Sequence, residues 1–143
     1  MNVVAQIESA SAGQPEGLKV RLPLGLLGFE QTKEYALITD PAIDPFLWLQ
    51  AADDPKLAFL VLSPFEVLPD YRPDLSLEDI SFLGLKGPDE SLVFSIVTVR
   101  GTGAATLNLK GPVVLNRHTM AGKQVIPNNA AQYSVQHPLP VVA

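Results

Sequence analysis

Apolar and polar residues alternate over short stretches of this chain, and the stretches are cut apart by Gly, Pro and Asp. Val3 to Glu8 alternates weakly and predicts a strand, and Ser9 to Glu16 reads as a loop. Gly17 to Leu22 predicts a second strand, with Leu18, Val20 and Leu22 on one face and Lys19 and Arg21 on the other. Pro23 to Gly28 is a Gly/Pro connection, and Phe29 to Glu34 is expected to form one helical turn. Strands follow at Tyr35 to Thr39, Phe46 to Ala51 and Leu57 to Leu62, the last of them apolar enough to be buried on both faces. The first two end at Asp40-Pro41 and Asp53-Asp54-Pro55. Proline fixes φ there, and an Asp side chain accepts from nearby backbone amides.

Leu77 to Leu83 predicts the one clear helix. Ser76 is the expected N-cap, Asp79 stands at N3 as a capping-box analogue, and Leu75 and Ile80 flank the start as a hydrophobic staple. Glu78 and Asp79 suit the positive end of the helix dipole, and Gly84 is placed to end it. Period-two patterning then returns. Ser91 to Val99, rich in Val, Ile, Phe and Thr, is the clearest strand. A hairpin turn at Gly101-Thr102-Gly103 leads into Ala104 to Leu109, followed by Val113 to Asn116. Met120 to Gly122 reads as a turn, Lys123 to Ile126 as a strand, and Gln132 to Val135 as a last one. His137-Pro138-Leu139-Pro140 is read as an extended tail, which spans residues 136–143. Many short strands with Gly/Pro turns indicate an antiparallel sandwich or barrel, and thirteen prolines argue against long helices.

Composition narrows the class. The 143 residues suit a single domain, and a 47% hydrophobic content is enough for a core. Charged residues make up only 17%, which argues against a disordered tail protein. Without cysteine, neither disulfides nor thiolate sites can hold the fold, which fits a reducing cytoplasm. No signal peptide is evident at the start, and no apolar run approaches the roughly 18 residues a membrane span needs.

The net charge of −5 is concentrated in one place. Between Glu66 and Glu90 lie Glu66, Asp70, Asp74, Glu78, Asp79, Asp89 and Glu90, against only Arg72 and Lys86. The remaining acids and bases of the chain cancel. Such a chain repels phosphate, so direct nucleic-acid binding is disfavoured. The segment can attract a basic protein. The plainer reading, which charge by itself favours, is a solvated loop and helix that maintain solubility.

Chemistry-bearing constellations are sparse. His118 and His137 are far apart in sequence and have no Cys to join them, so neither a zinc site nor another metal site is expected. No G-x-S-x-G element supports a nucleophilic serine. Asp53-Asp54 beside Pro55 reads as a turn cap, and Gly101-x-Gly103 as a hairpin turn with no third glycine or helix behind it. No cofactor is expected, and catalysis is the weakest of the candidate classes. Aromatics offer more. If Leu47 and Leu49 face the core, Trp48 lies on the outer face with Phe46 and Gln50 and could anchor a partner. The competing reading covers both faces and makes Trp48 core. Phe65 and Tyr71, set among Pro64, Pro69 and Pro73, either present a rigid apolar surface or fold over an open end of the sheet.

Particular strings then point to a family. Leu26-Leu27-Gly28-Phe29-Glu30 resembles the opening motif of FliW proteins. Pro45-Phe46-Leu47-Trp48-Leu49-Gln50, Asp54-Pro55, Leu57-Ala58-Phe59, Pro64-Phe65 and Pro69-Asp70-Tyr71 follow in the family's order. Asn108-Leu109, Pro112, Val114, Asn116, Gly122-Lys123-Gln124-Val125, Tyr133-Ser134 and His137-Pro138-Leu139 resemble its C-terminal blocks. The likeness runs from Val20 to Leu139; residues 1–16 are not diagnostic.

The resemblance implies a mainly β, single-domain, antiparallel barrel-like fold with one or two short helices, acting as a cytoplasmic monomer. It implies no enzyme activity and two protein partners: flagellin before its export, and CsrA, a basic RNA-binding translational repressor that the family antagonises. Candidate partner-contacting residues are Trp48, Gln50, Phe65, Asp70, Tyr71, Asp74, Glu78 and Asp79. Two alternatives stay open. An enzyme of unrecognised type would need a deep pocket joining His118 or His137 to a carboxylate. A self-assembling structural protein would need an exposed apolar patch or an unpaired strand edge.

Overall fold

In a computed structural model, residues 17–139 are described. The strand expected at Val3 to Glu8 lies outside them. The strands are β1 (Leu18–Arg21), β2 (Glu34–Thr39), β3 (Leu47–Ala51), β4 (Ala58–Leu62), β5 (Ser91–Val99), β6 (Ala105–Leu107), β7 (Val113–Asn116), β8 (Gly122–Gln124) and β9 (His137–Pro138). Among the described residues one α-helix, α1 (Leu77–Leu83), is joined by 3-10 turns at Pro41–Ile43, Pro64–Glu66, Pro88–Glu90 and Ala130–Gln132. Three of those turns open on proline, whose fixed φ suits the first helical position.

β1 to β4 form an antiparallel meander, and β4 passes to β5. Strand β5 then divides its pairing. Ser91 to Phe94 pair with β7, while Val97 to Val99 pair with β6. β8 continues from β7, and β9 from β6. The sheet curls but does not close. The end of β1 meets the start of β8 only at a parallel bridge between Arg21 and Ala121, where the Arg21 N–H donates to the Met120 carbonyl at 3.0 Å.

Register explains the core. Val20, Tyr35 and Ala51 align across β1, β2 and β3, as do Leu37 and Leu49, and all face inward. Val61, Val113 and Leu115 complete that inner cluster. The opposite face carries Ile38 beside Trp48, with Ala36 and Ala58 flanking Gln50. Ile43 and Leu60 pack over this second face. A third cluster joins Leu62, Tyr71, Val97, Leu107 and Leu109, and a fourth joins Leu83, Val114 and Val125 under α1. Because both faces of the central strands are covered, Trp48 is core, only 2% exposed, so of the two readings open from sequence the one with both faces covered holds. The small Ala36 and Ala58 beside it make room for a side chain that the alternation pattern alone would send to solvent.

Three other expectations change. No helical turn forms at Phe29 to Glu34. Leu26 and Phe29 make an isolated bridge, the Thr32 N–H donates to the Phe29 carbonyl, and Glu34 already belongs to β2. Gly28 there has φ 88°, which favours a turn over a helix. No strand forms at Gln132 to Val135, where Gln132 ends the 3-10 turn Ala130–Gln132, and the extended tail supplies β9 instead, pairing His137 with Leu107. The strand expected at Lys123 to Ile126 begins one residue earlier and is shorter.

Candidate functional site: an apolar groove in the acidic segment

The segment from Pro64 to Val93 builds one side of the molecule around a groove of about 430 Å3. One wall is the loop carrying Phe65, Tyr71 and Leu75, the second is α1 through Ile80, and the third is Leu85 to Pro88. Val93 of β5 and Val114 of β7 line it from the sheet.

Local chemistry fixes each wall. Ser76 Oγ accepts from the Asp79 N–H at 3.0 Å and starts α1. Gly84, with φ 68°, ends it by donating to the Ile80 and Ser81 carbonyls. The helix is then tied to the sheet at both ends. Asp79 Oδ1 meets Lys123 Nζ of β8 at 2.6 Å, and that ammonium also lies 5.3 Å from the centre of the Phe82 ring. Asn116, at the end of β7, donates to the Leu83 carbonyl at 2.9 Å, while its Oδ1 accepts from the His118 N–H. The expected capping box is therefore half formed, because the Asp79 carboxylate turns to Lys123 and not back to the cap.

The loop wall is equally constrained. Tyr71 is 3% exposed, and its hydroxyl donates to the Leu109 carbonyl at 2.7 Å. Its ring stacks edge-on against Tyr133 at 4.7 Å. Burial, with the nearby Tyr133 adding to it, pushes the Tyr71 phenol well above its ordinary range. The Tyr133 hydroxyl accepts from the Arg72 N–H, and Asn129 accepts from the Asp74 N–H while donating to the Arg72 carbonyl.

The residues singled out from sequence separate into two groups. Phe65 (42% exposed), Asp70, Asp74 and Glu78 are open at the groove or its surroundings. Trp48, Gln50, Tyr71 and Asp79 are buried, so none offers a free contact surface. For Trp48 and Gln50 this settles the two readings in favour of a covered face; for Tyr71 the hydroxyl is held inward; for Asp79 the charge is paired with Lys123. Of the seven acids in the segment, Glu66, Asp70, Asp74, Glu78 and Asp89 remain exposed, while half-buried Glu90 stands 3.6 Å from His118. Sequence reasoning missed Leu85, Val93, Lys123 and Asn116 as parts of this site. In sequence Leu75 and Ile80 read only as a staple, and that is the signal available for a half-covered apolar wall.

His118 lies on the surface beside Glu90 and does not line the groove, and neither does His137. Among the described residues no three His, Cys, Asp or Glu side chains gather as metal ligands. No described helix is long and apolar enough to cross a membrane.

The described residues thus form a curled, antiparallel β-sheet with one short helix and an apolar groove at its side, lined by Arg72, Lys86 and Asp74 as its charged groups. Comparison with known proteins is specific. A family model described as "FliW protein" matches residues 6–139, and the chain belongs to the FliW family. The flagellar assembly factor FliW of Leptospira biflexa is 40% identical over 109 residues, covering 75% of this chain and 71% of that one. Its counterpart in Treponema denticola is 35% identical over 119 residues, covering 82% and 80%. A crystal structure of the flagellar assembly factor FliW superposes with a TM-score of 0.75 at 30% identity, covering 87% of this chain and 86% of that one.

Proposed function

We propose that this chain is a flagellar assembly factor that acts by protein contact, binding flagellin before export and antagonising the translational repressor CsrA, so that flagellin synthesis follows export. The observation that carries the reading is the concentration of exposed carboxylates around an apolar groove in a chain of this family. A basic RNA-binding protein is drawn to such a surface. Once bound, the carboxylates repel phosphate and weaken RNA binding without covering every RNA contact. Flagellin occupancy would withhold the chain from the repressor, and release of flagellin would return it.

The test is a pull-down with purified flagellin and purified CsrA, singly and together, followed by an RNA-binding competition for CsrA. Capture of each partner, with CsrA losing RNA as this chain is added, is the expected result. Failure to capture either partner ends the reading.

A further inference from the structure

We propose that the groove between the Phe65–Leu75 loop, α1 and the start of β5 binds a small amphiphilic anion: a free medium-chain carboxylate, its alkyl chain in the groove and its head against Arg72 and Lys86. This is a small-molecule site, and it stands or falls independently of which proteins the chain contacts.

The walls set the body of the ligand. Leu75, Ile80, Leu85 and Val93 are half-buried around a space of about 430 Å3, within the ~300–1,000 Å3 typical of small-molecule sites. Polar groups at the walls are already engaged. The Tyr71 hydroxyl donates to the Leu109 carbonyl, Ser91 Oγ to the Pro88 carbonyl, and the Lys86 N–H to Glu90 Oε1. A peptide backbone laid across such walls would strand its amides, whereas an alkyl chain has no polar atom to strand. The lining charge sets the head. Arg72 and Lys86 face one acid, Asp74, and neither base forms an ion pair among the described residues. The Asp74 carboxylate instead accepts from the Asn128 side-chain amide at 3.5 Å. Two bases against one acid at contact favour an anion over a cation. Exposed Asp70, Glu78 and Asp89 surround the groove without lining it, and salt screens their more distant field. The backbone carrying each base is also pinned. The Arg72 N–H donates to the Tyr133 hydroxyl and its carbonyl accepts from Asn129, while Glu90 holds Lys86, so little ordering cost falls on binding.

The experiment titrates the isotopically labelled full chain with decanoate, decanol and decylammonium, each below its micelle-forming concentration, and follows backbone amide shifts. Decanoate should shift amides between Phe65 and Val93 and bind about fivefold or more tighter than decylammonium, a preference that shrinks as salt is added. Across hexanoate, octanoate and decanoate, affinity should rise about two- to fourfold per methylene, as expected for a chain entering an apolar but half-open groove. Arg72 and Lys86 are exposed, so the double variant Arg72→Glu with Lys86→Glu should keep the wild-type circular dichroism spectrum while reversing the preference toward decylammonium. Arg100→Glu, an exposed base outside the groove, should leave the preference unchanged. Equal binding of all three ten-carbon probes to the wild type overturns the anionic class, whether or not the double variant folds. Shifts on another face, or shifts that appear only once micelles form, overturn the site itself. Either outcome leaves the reading of the chain as a protein-contact factor untouched, just as failure to capture flagellin or CsrA would leave this site standing.

Discussion

Single side chains decide how firmly the groove is held. Asp79 and Lys123 form a close pair that is largely withdrawn from solvent, with side chains 11% and 19% exposed. Removing one partner strands a charge, so Lys123→Met should cost about 3 kcal/mol, whereas Asp79→Leu with Lys123→Met should recover most of it. Urea denaturation of the two variants checks this. Ser95 lies fully buried with its hydroxyl unpaired by protein, so Ser95→Ala should be nearly neutral or slightly stabilising. Tyr35 adds a pH dependence. Its phenol is buried, with Asp53 adding negative potential, and its pKa is pushed up to about 12. The unfolded phenol titrates near ~10, so the unfolded state loses its proton first. Stability from Tyr35 is therefore complete below about pH 10 and is lost as pH rises from there toward 12. Denaturation midpoints measured at pH 8 and pH 11 should converge more closely in Tyr35→Phe than in the wild type.

At the scale of elements, α1 is too short to be stable on its own. An isolated helix generally needs about 12–15 residues, and α1 has 7. Its existence depends on the Ser76 cap, on Gly84 and on the strand residues that grip it. Asn116→Ala removes the donor to the Leu83 carbonyl and the acceptor for the His118 N–H, and should cost roughly 2–3 kcal/mol. Loss of helical circular dichroism ahead of the sheet signal would show that the damage begins at α1. The β7–β8 ladder has a similar fixed point. A Cβ at Gly122 would strike the Val114 carbonyl oxygen and Leu115, so Gly122→Ala should pull β8, and Lys123 with it, away from α1. Gly84 is different. A Cβ there meets open space except for Asn116, so Gly84→Ala should cost only the left-handed strain, about 1 kcal/mol.

At the scale of the whole molecule, β5 links every part. It pairs with β4, β6 and β7, so the inner cluster, the Tyr71 cluster and the floor under α1 share one strand. Unfolding should consequently be one cooperative transition, with Trp48 fluorescence and far-ultraviolet circular dichroism changing at the same denaturant concentration. The separation of apolar groove from acidic surround is also a property of the whole, since the groove draws on loop, helix and two strands.

Much of the chain was legible without coordinates because local rules govern it. The helix from Leu77 to Leu83 follows from a cap, an acidic first turn and a terminal glycine, all neighbours in sequence. The central strands follow from period two and Asp-Pro turns, and the crowding of acids between Glu66 and Glu90 needs only counting. Tertiary packing decided the rest. Period two says which residues share a face of a strand but not whether the other face is also covered, and it was the covering of both faces that buried Trp48 and Gln50. Charge counting likewise cannot reveal that Lys123, 44 residues away, neutralises Asp79, or that Leu75, Ile80, Leu85 and Val93 meet at one groove. Those are contacts between distant stretches, and only the folded chain brings them within reach.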